Sequence, residues 1–96
     1  MKFAVLFEDN EAHANQRAQH MQAHLAFLEA NADRIEAAGP LKAQGAGAGG
    51  LWLVEAKTAA AVQQLVESDP FWPTGLRKSV RVLEWVQVFR DGARRI

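Results

Sequence analysis

The sequence predicts an α+β fold with the element order β-α-β-β-α-β. Three observations carry that expectation. Lys2–Glu8 and Gly50–Ala56 alternate as strands do, and Arg77–Phe89 holds valines at 80, 82, 86 and 88. Between the strands lie two segments of good helix formers, a long one after the first strand and a short one after Thr58. A Gly/Ala run from Gly45 to Gly50 separates the two halves.

Each element has a local reason. In Lys2–Glu8, Phe3, Val5 and Phe7 fall on one face and Ala4 and Leu6 on the other. Asp9 and Asn10 end that strand and can cap the segment that follows. A helix is predicted from Glu11 to Ala38, with an apolar stripe of Ala14, Ala18, Met21, Leu25, Leu28, Ala32 and Ile35. Gly39 and Pro40 are its expected stop, and Leu41–Gln44 a short strand. Gly45–Gly50 offers no side chain to pack and is expected to be a mobile surface loop. Leu51 and Leu53 then oppose Trp52 and Val54 in the next strand. Thr58 is the expected N-cap of a helix over Ala59–Glu67, which Asp69-Pro70 terminates, because the residue before a proline is driven out of the helical region. Phe71–Leu76 is a loop and Arg77–Phe89 the last strand. This order is the ferredoxin-like arrangement, with both helices on one face of a four-stranded antiparallel sheet.

Composition bounds the function. A chain of 96 residues is expected to form one domain over 1–96, with 49% apolar and 23% charged residues. Eleven basic and eleven acidic side chains cancel, so the chain lacks the charge footprint of a nucleic-acid binder. Arg90, Arg94 and Arg95 read as a solvated basic tail. The absence of cysteine excludes disulfides, thiolate metal sites and a cysteine nucleophile, and fits a cytoplasmic protein. The apolar runs are strand-length, so no membrane span is expected, and the N-terminus lacks the layout of a signal peptide. The outer sheet face also carries large apolar residues, which predicts a homodimer packed face to face.

Few residues look like chemistry. His13, Arg17, His20 and His24 recur at helical spacing about a quarter turn from the apolar stripe, where side chains can line a cleft. His20 and His24 have the i, i+4 spacing of a metal pair, but a third ligand is wanting: His13 lies about 10 Å from His20 along the axis, leaving only Asp69. No metal or other cofactor is therefore expected. Asp69, ahead of Pro70, reads either as a turn former bonding local backbone or as a partner for His24. The glycine run is no phosphate loop, since it lacks the Gly-Lys-Ser/Thr ending and does not open onto a helix.

Arg17 through Leu25 with its His24-Leu25 step, Gly39-Pro40-Leu41, the glycine-rich stretch into Leu51-Trp52-Leu53-Val54-Glu55, Asp69-Pro70-Phe71 with Gly75, and Glu84-Trp85 occur in this order. Together they resemble the YCII-related (YciI-like) family of small bacterial proteins over nearly the whole chain. The resemblance implies a dimeric α+β barrel built from ferredoxin-like protomers. It implies a pocket with a paired histidine and aspartate, matched here to His24 and Asp69. Assigned activities of the family include a dehydrochlorinase acting on a chlorinated hydroxyhydroquinone, and fold relatives include muconolactone isomerase and cofactor-free monooxygenases. Members of an Arg-x-x-His-Leu type place arginine three residues before the histidine; Met21 stands there in this chain and Arg17 lies seven before.

Two readings follow. In the first, a small organic molecule undergoes proton transfer of the elimination or isomerisation type, with His24 as base or acid, Asp69 orienting its ring, and Arg17, His20 and Phe71 contacting the substrate. In the second, the dimer is a non-catalytic binding or structural module that keeps the pocket.

Overall fold

The computed structural model describes all residues, 1–96. Its elements are β1 (Lys2–Asp9), a 3₁₀ turn (Glu11–His13), α1 (Asn15–Ala30), β2 (Ile35–Ala43), β3 (Ala46–Glu55), α2 (Ala59–Glu67), a second 3₁₀ turn (Trp72–Thr74), β4 (Arg77–Glu84) and a small hairpin of β5 (Phe89–Arg90) and β6 (Ala93–Arg94). The four long strands form one antiparallel sheet in the order β2-β3-β1-β4. This is the ferredoxin-like topology. No helix is long and apolar enough to cross a membrane.

Alternation decides the core. Phe3, Val5 and Phe7 of β1 and Trp52 and Val54 of β3 turn to the helices and are buried. Val62, Leu65 and Val66, at i, i+3 and i+4 on α2, cover them, with Phe27 and Leu28 of α1 packed alongside. Burying one such side chain contributes about 1.5–3 kcal/mol. The opposite face presents Ala4, Leu6, Leu51, Leu53 and Leu83, with Leu83 exposed. Thr58 caps α2 as expected, its Oγ1 accepting from the Ala61 amide at 3.1 Å, and α2 has the bounds read from sequence.

Four expectations are corrected. The first helix ends at Ala30, not Ala38. Asn31 stops it: its side-chain amide donates to the Phe27 carbonyl at 2.8 Å, and its own carbonyl accepts from the Arg34 and Ile35 amides. Ile35-Glu36-Ala37-Ala38 then joins the sheet edge, with Ile35 opposite Val54 in the core. Pairing and burial override the helical propensity of these residues, which is only a weak prior. Gly39 and Pro40 accordingly lie inside β2; Pro40 sits beside a register shift on an edge strand, where a missing N–H is tolerated.

The inward face of α1 is not the alanine stripe. Ala14, Ala18, Leu25 and Ala32 are exposed, and the helix turns Arg17, Met21, His24, Phe27 and Leu28 inward. The segment Gly45–Gly50 is not a loop. Only Gln44 and Gly45 turn, both with positive φ, as a two-residue hairpin of the I′ kind requires. From Ala46 the chain is strand, pairing Ala46 with Ala43, Gly47 with Lys42 and Gly50 with Pro40. A backbone ladder needs no side chains, and along this edge the strand is mostly exposed. Finally, β4 stops at Glu84 because its partner β1 runs out: the Trp85 amide donates to the Lys2 carbonyl at 2.9 Å, the last link. Beyond it, Asp91 and Gly92, both with positive φ, turn the short β5–β6 hairpin.

Gly49 has φ +92°, and a methyl group there would overlap the Phe7 carbonyl oxygen. Gly47, two residues away in the same strand, has nothing within 4 Å of the equivalent position. Gly49→Ala is expected to lower the unfolding free energy by about 2–4 kcal/mol. Gly47→Ala is expected to change it by less than about 0.5 kcal/mol. Urea unfolding of both variants measures the contrast, and equal midpoints would contradict the backbone crossing described for Gly49.

Candidate active site

The end of α2 builds one half of the site. Ser68 caps the helix through its hydroxyl to the Gln64 carbonyl, and Pro70 forbids another turn. Asp69 closes the resulting bend locally: its Oδ1 accepts from the Phe71 amide at 3.1 Å, and its carbonyl accepts from the Trp72 amide at 2.8 Å. The same Oδ1 lies 2.8 Å from Nδ1 of His24, which α1 delivers from its inward face. Both readings of Asp69 are therefore realised in one atom. The residues are 45 positions apart in sequence, and His24 is 7% and Asp69 3% exposed.

This geometry gives the two ring nitrogens different roles when Asp69 is ionised. An ionised carboxylate only accepts hydrogen bonds, so Nδ1 carries a hydrogen and donates it to Asp69. In the neutral ring Nε2 then holds the free lone pair. Phe71, fully buried, stacks on the imidazole with ring centroids 4.1 Å apart and planes 16° apart. Trp52 stands 6.3 Å away on the sheet side. The ring is thereby fixed by one hydrogen bond and one stacked face.

Next to the pair lies a charged cluster. Asp9, at the end of β1, accepts from Nη2 of Arg17 and, at 3.1 Å, from Nη1 of Arg77. A register shift between Glu8 and Asp9 places Asp9 opposite Arg77, the first residue of β4. Gly50 lies beside the guanidinium, where a Cβ would make ordinary contact with Arg77 Nη1 at 3.5 Å. Burial pulls the Arg77 pKa below the ordinary arginine value; Asp9 opposes the shift by charge and hydrogen bond, and Arg17 adds to it by repulsion.

Two hollows meet at Arg17. The inner one, about 110 Å³, is lined by Arg17, Met21 and His24 of α1, Gly39 and Pro40 of β2, and Arg77, among others. The outer one, about 500 Å³, lies between the Glu8–Glu11 segment and Gly47–Gly49 and includes Arg17 and Asp9.

The structure thus joins His24 to Asp69 and sets Arg17 at the wall of the same cavity. Phe71 stands behind the imidazole rather than on the cavity wall. His20 is half-buried and takes no part in the hydrogen bonds around His24. Sequence reasoning missed Arg77 and Asp9. Asp9 read as a strand end and Arg77 as a strand start; their meeting is a register fact spanning 68 positions, with no local signal to reveal it.

Comparisons with known proteins agree with this architecture. The structure is similar to 5-chloro-2-hydroxyhydroquinone dehydrochlorinase from Burkholderia phenoliruptrix AC1100, solved in complex with 2,5-dihydroxybenzoquinone. The two share 28% sequence identity at a TM-score of 0.77, over 90% of this chain and 94% of that one. No curated protein matches in sequence. The model of the YCII-related domain matches residues 1–86, which hold the whole four-stranded sheet, both α-helices and every residue of the site, and the chain therefore belongs to the YCII-related family.

Proposed function

We propose that this protein binds a small, oxygenated, ring-shaped organic molecule in the inner cavity and transfers a proton on it through His24. The observation that carries the reading is the buried 2.8 Å contact between His24 Nδ1 and Asp69 Oδ1 beside that cavity. With Nδ1 tied to the carboxylate, Nε2 is the nitrogen left to accept a proton from an acidic O–H or C–H of the ligand and to return it. Asp69 holds the ring in that tautomer and stabilises the imidazolium formed when the proton arrives. In an elimination the electron pair left behind expels a leaving group such as chloride; in an isomerisation the proton returns at another carbon. The similarity to a dehydrochlorinase makes elimination of HCl from 5-chloro-2-hydroxyhydroquinone the first reaction to assay. Arg17 is assigned to substrate binding at the cavity wall, and Phe71 to holding the catalytic ring. The cysteine-free sequence fits a site of action in the cytoplasm.

One observation favours a binding module without turnover: the stacked, fully buried Phe71 would hold His24 equally well as a fixed ligand contact. Turnover separates the two readings. His24→Ala and Asp69→Asn are each expected to reduce kcat by about 10²–10⁴-fold while far-UV circular dichroism stays unchanged. Full activity in both variants would remove the proton-transfer reading.

The apolar outer sheet face is assigned to a second copy of the chain. Ala4, Leu6, Leu51, Leu53 and Leu83 lie together there, uncovered by either helix. Two such faces packed together give a homodimer with the sheets forming a barrel. Sedimentation velocity at micromolar concentration is expected to give a dimer, and Leu53→Glu together with Leu83→Glu to give a monomer. A wild-type monomer would reject the assignment.

A further inference from the structure

Arg77 is a cation in a place that penalises cations. Its side chain is only 5% exposed, and it lines the inner cavity alongside His24. A guanidinium has five N–H donors. Arg77 makes one hydrogen bond, from Nη1 to Asp9, and its Nε has no acceptor in the protein. The Phe7 and Phe71 rings lie 4.2 Å and 5.2 Å from its Cζ, so aromatic faces stabilise the charge without using its donors.

Its donors outnumber the acceptors around it. Asp9 is shared between Arg77 and Arg17. Asp69, the other carboxylate near Arg77, is engaged by His24 and by the Phe71 amide. Arg77 therefore shares its one acceptor with Arg17 and keeps donors unused beside the cavity wall. A guanidinium kept only for structure is normally hydrogen-bonded in full, because a buried donor without an acceptor is costly. A site that recognises an anion keeps donors free for it.

We propose that Arg77 is the anion-binding residue of the inner cavity and that the ligand presents an anionic oxygen to it, either a carboxylate or an ionised enol or phenol. The inference rests on the reading that this cavity holds the ligand. It adds the substrate class: a small ring carrying a negative oxygen, with the atom that exchanges its proton towards His24. It also gives Arg77 a part in the reaction, since charge left on oxygen when a proton is removed is stabilised by a preorganised cation.

Isothermal titration with matched pairs tests this. Benzoate is compared with benzamide, and 4-nitrophenolate with 4-nitroanisole, at a pH where the nitrophenol is ionised. At least one anion is expected to bind roughly tenfold or more tightly than its neutral partner, and the tighter pair tells carboxylate from phenolate. Arg77→Gln is expected to abolish the preference, and Arg77→Lys to restore part of it. Asp9→Asn, which removes the competing carboxylate, is expected to tighten anion binding while leaving the neutral probes unchanged. That opposite sign is not produced by a merely structural role for Arg77, and it is measurable even if Arg77→Gln fails to fold. Equal binding of charged and neutral probes, no binding of either anion at millimolar concentration, or unchanged anion affinity in Asp9→Asn would each overturn the proposal. No arm reads turnover, so loss of the proton-transfer reading leaves these outcomes intact. Conversely, binding of 2,5-dihydroxybenzoquinone that Arg77→Gln does not weaken would overturn the charge assignment and leave the cavity reading standing.

Discussion

A helix that turns a histidine and an arginine towards the sheet must find partners for them there, because a buried polar group without a hydrogen bond costs more than most apolar contacts return. This constraint organises one end of the molecule. α1 has almost no amphipathic character in the ordinary sense. Its only buried residue is His24, with Arg17 half-buried two turns away. Asp69 answers the first and Asp9 the second. The apolar work falls instead to α2, whose Val62, Leu65 and Val66 close over Val5 and Val54 with almost no exposure. One helix is an anchor and the other carries the site.

The backbone adjusts to make that possible. Asp69 is held by the bend that follows α2, so its carboxylate is fixed before it meets the imidazole. Gly75, with φ +81°, lets the chain reverse out of the second 3₁₀ turn, under the ring of His13, and enter β4 at Arg77. The glycines of β3 have two different duties. Towards the hairpin tip they pair as exposed edge strand, and at Gly49 the missing side chain lets the chain pass close to the Phe7 carbonyl.

The resulting site has two electrostatic halves, and their proximity is what gives it chemical meaning. A histidine bonded to a carboxylate through one nitrogen is equipped to move a proton with the other. A guanidinium with free donors is equipped to hold the charge that such a transfer leaves. Phe71 belongs to both halves: it stacks on His24 and lies 5.6 Å from the Arg17 and 5.2 Å from the Arg77 guanidinium carbon. A single buried aromatic ring thus stands between the His24 imidazole and the two guanidinium groups.

Much of this was legible in the residues themselves. The alternation of Phe3, Val5 and Phe7, the Thr58 cap and the Asp69-Pro70 stop are local physics, and they fix β1, α2 and the class of the fold. The pairing of His24 with Asp69 was open to expectation too, through helical spacing, the order of the elements and the family resemblance. Other features were decided only by tertiary structure. Ile35–Ala38 favours helix locally, yet becomes strand because β3 offers it a ladder and Val54 a place in the core. Gly45–Gly50 has no side chains to announce a strand, yet pairs because a ladder needs only backbone. The inward turn of α1 follows Arg17 and His24 rather than its alanines, because their partners wait on the other elements. Arg77 and Asp9 meet across 68 positions through strand register, a relation between chain segments that no local pattern encodes.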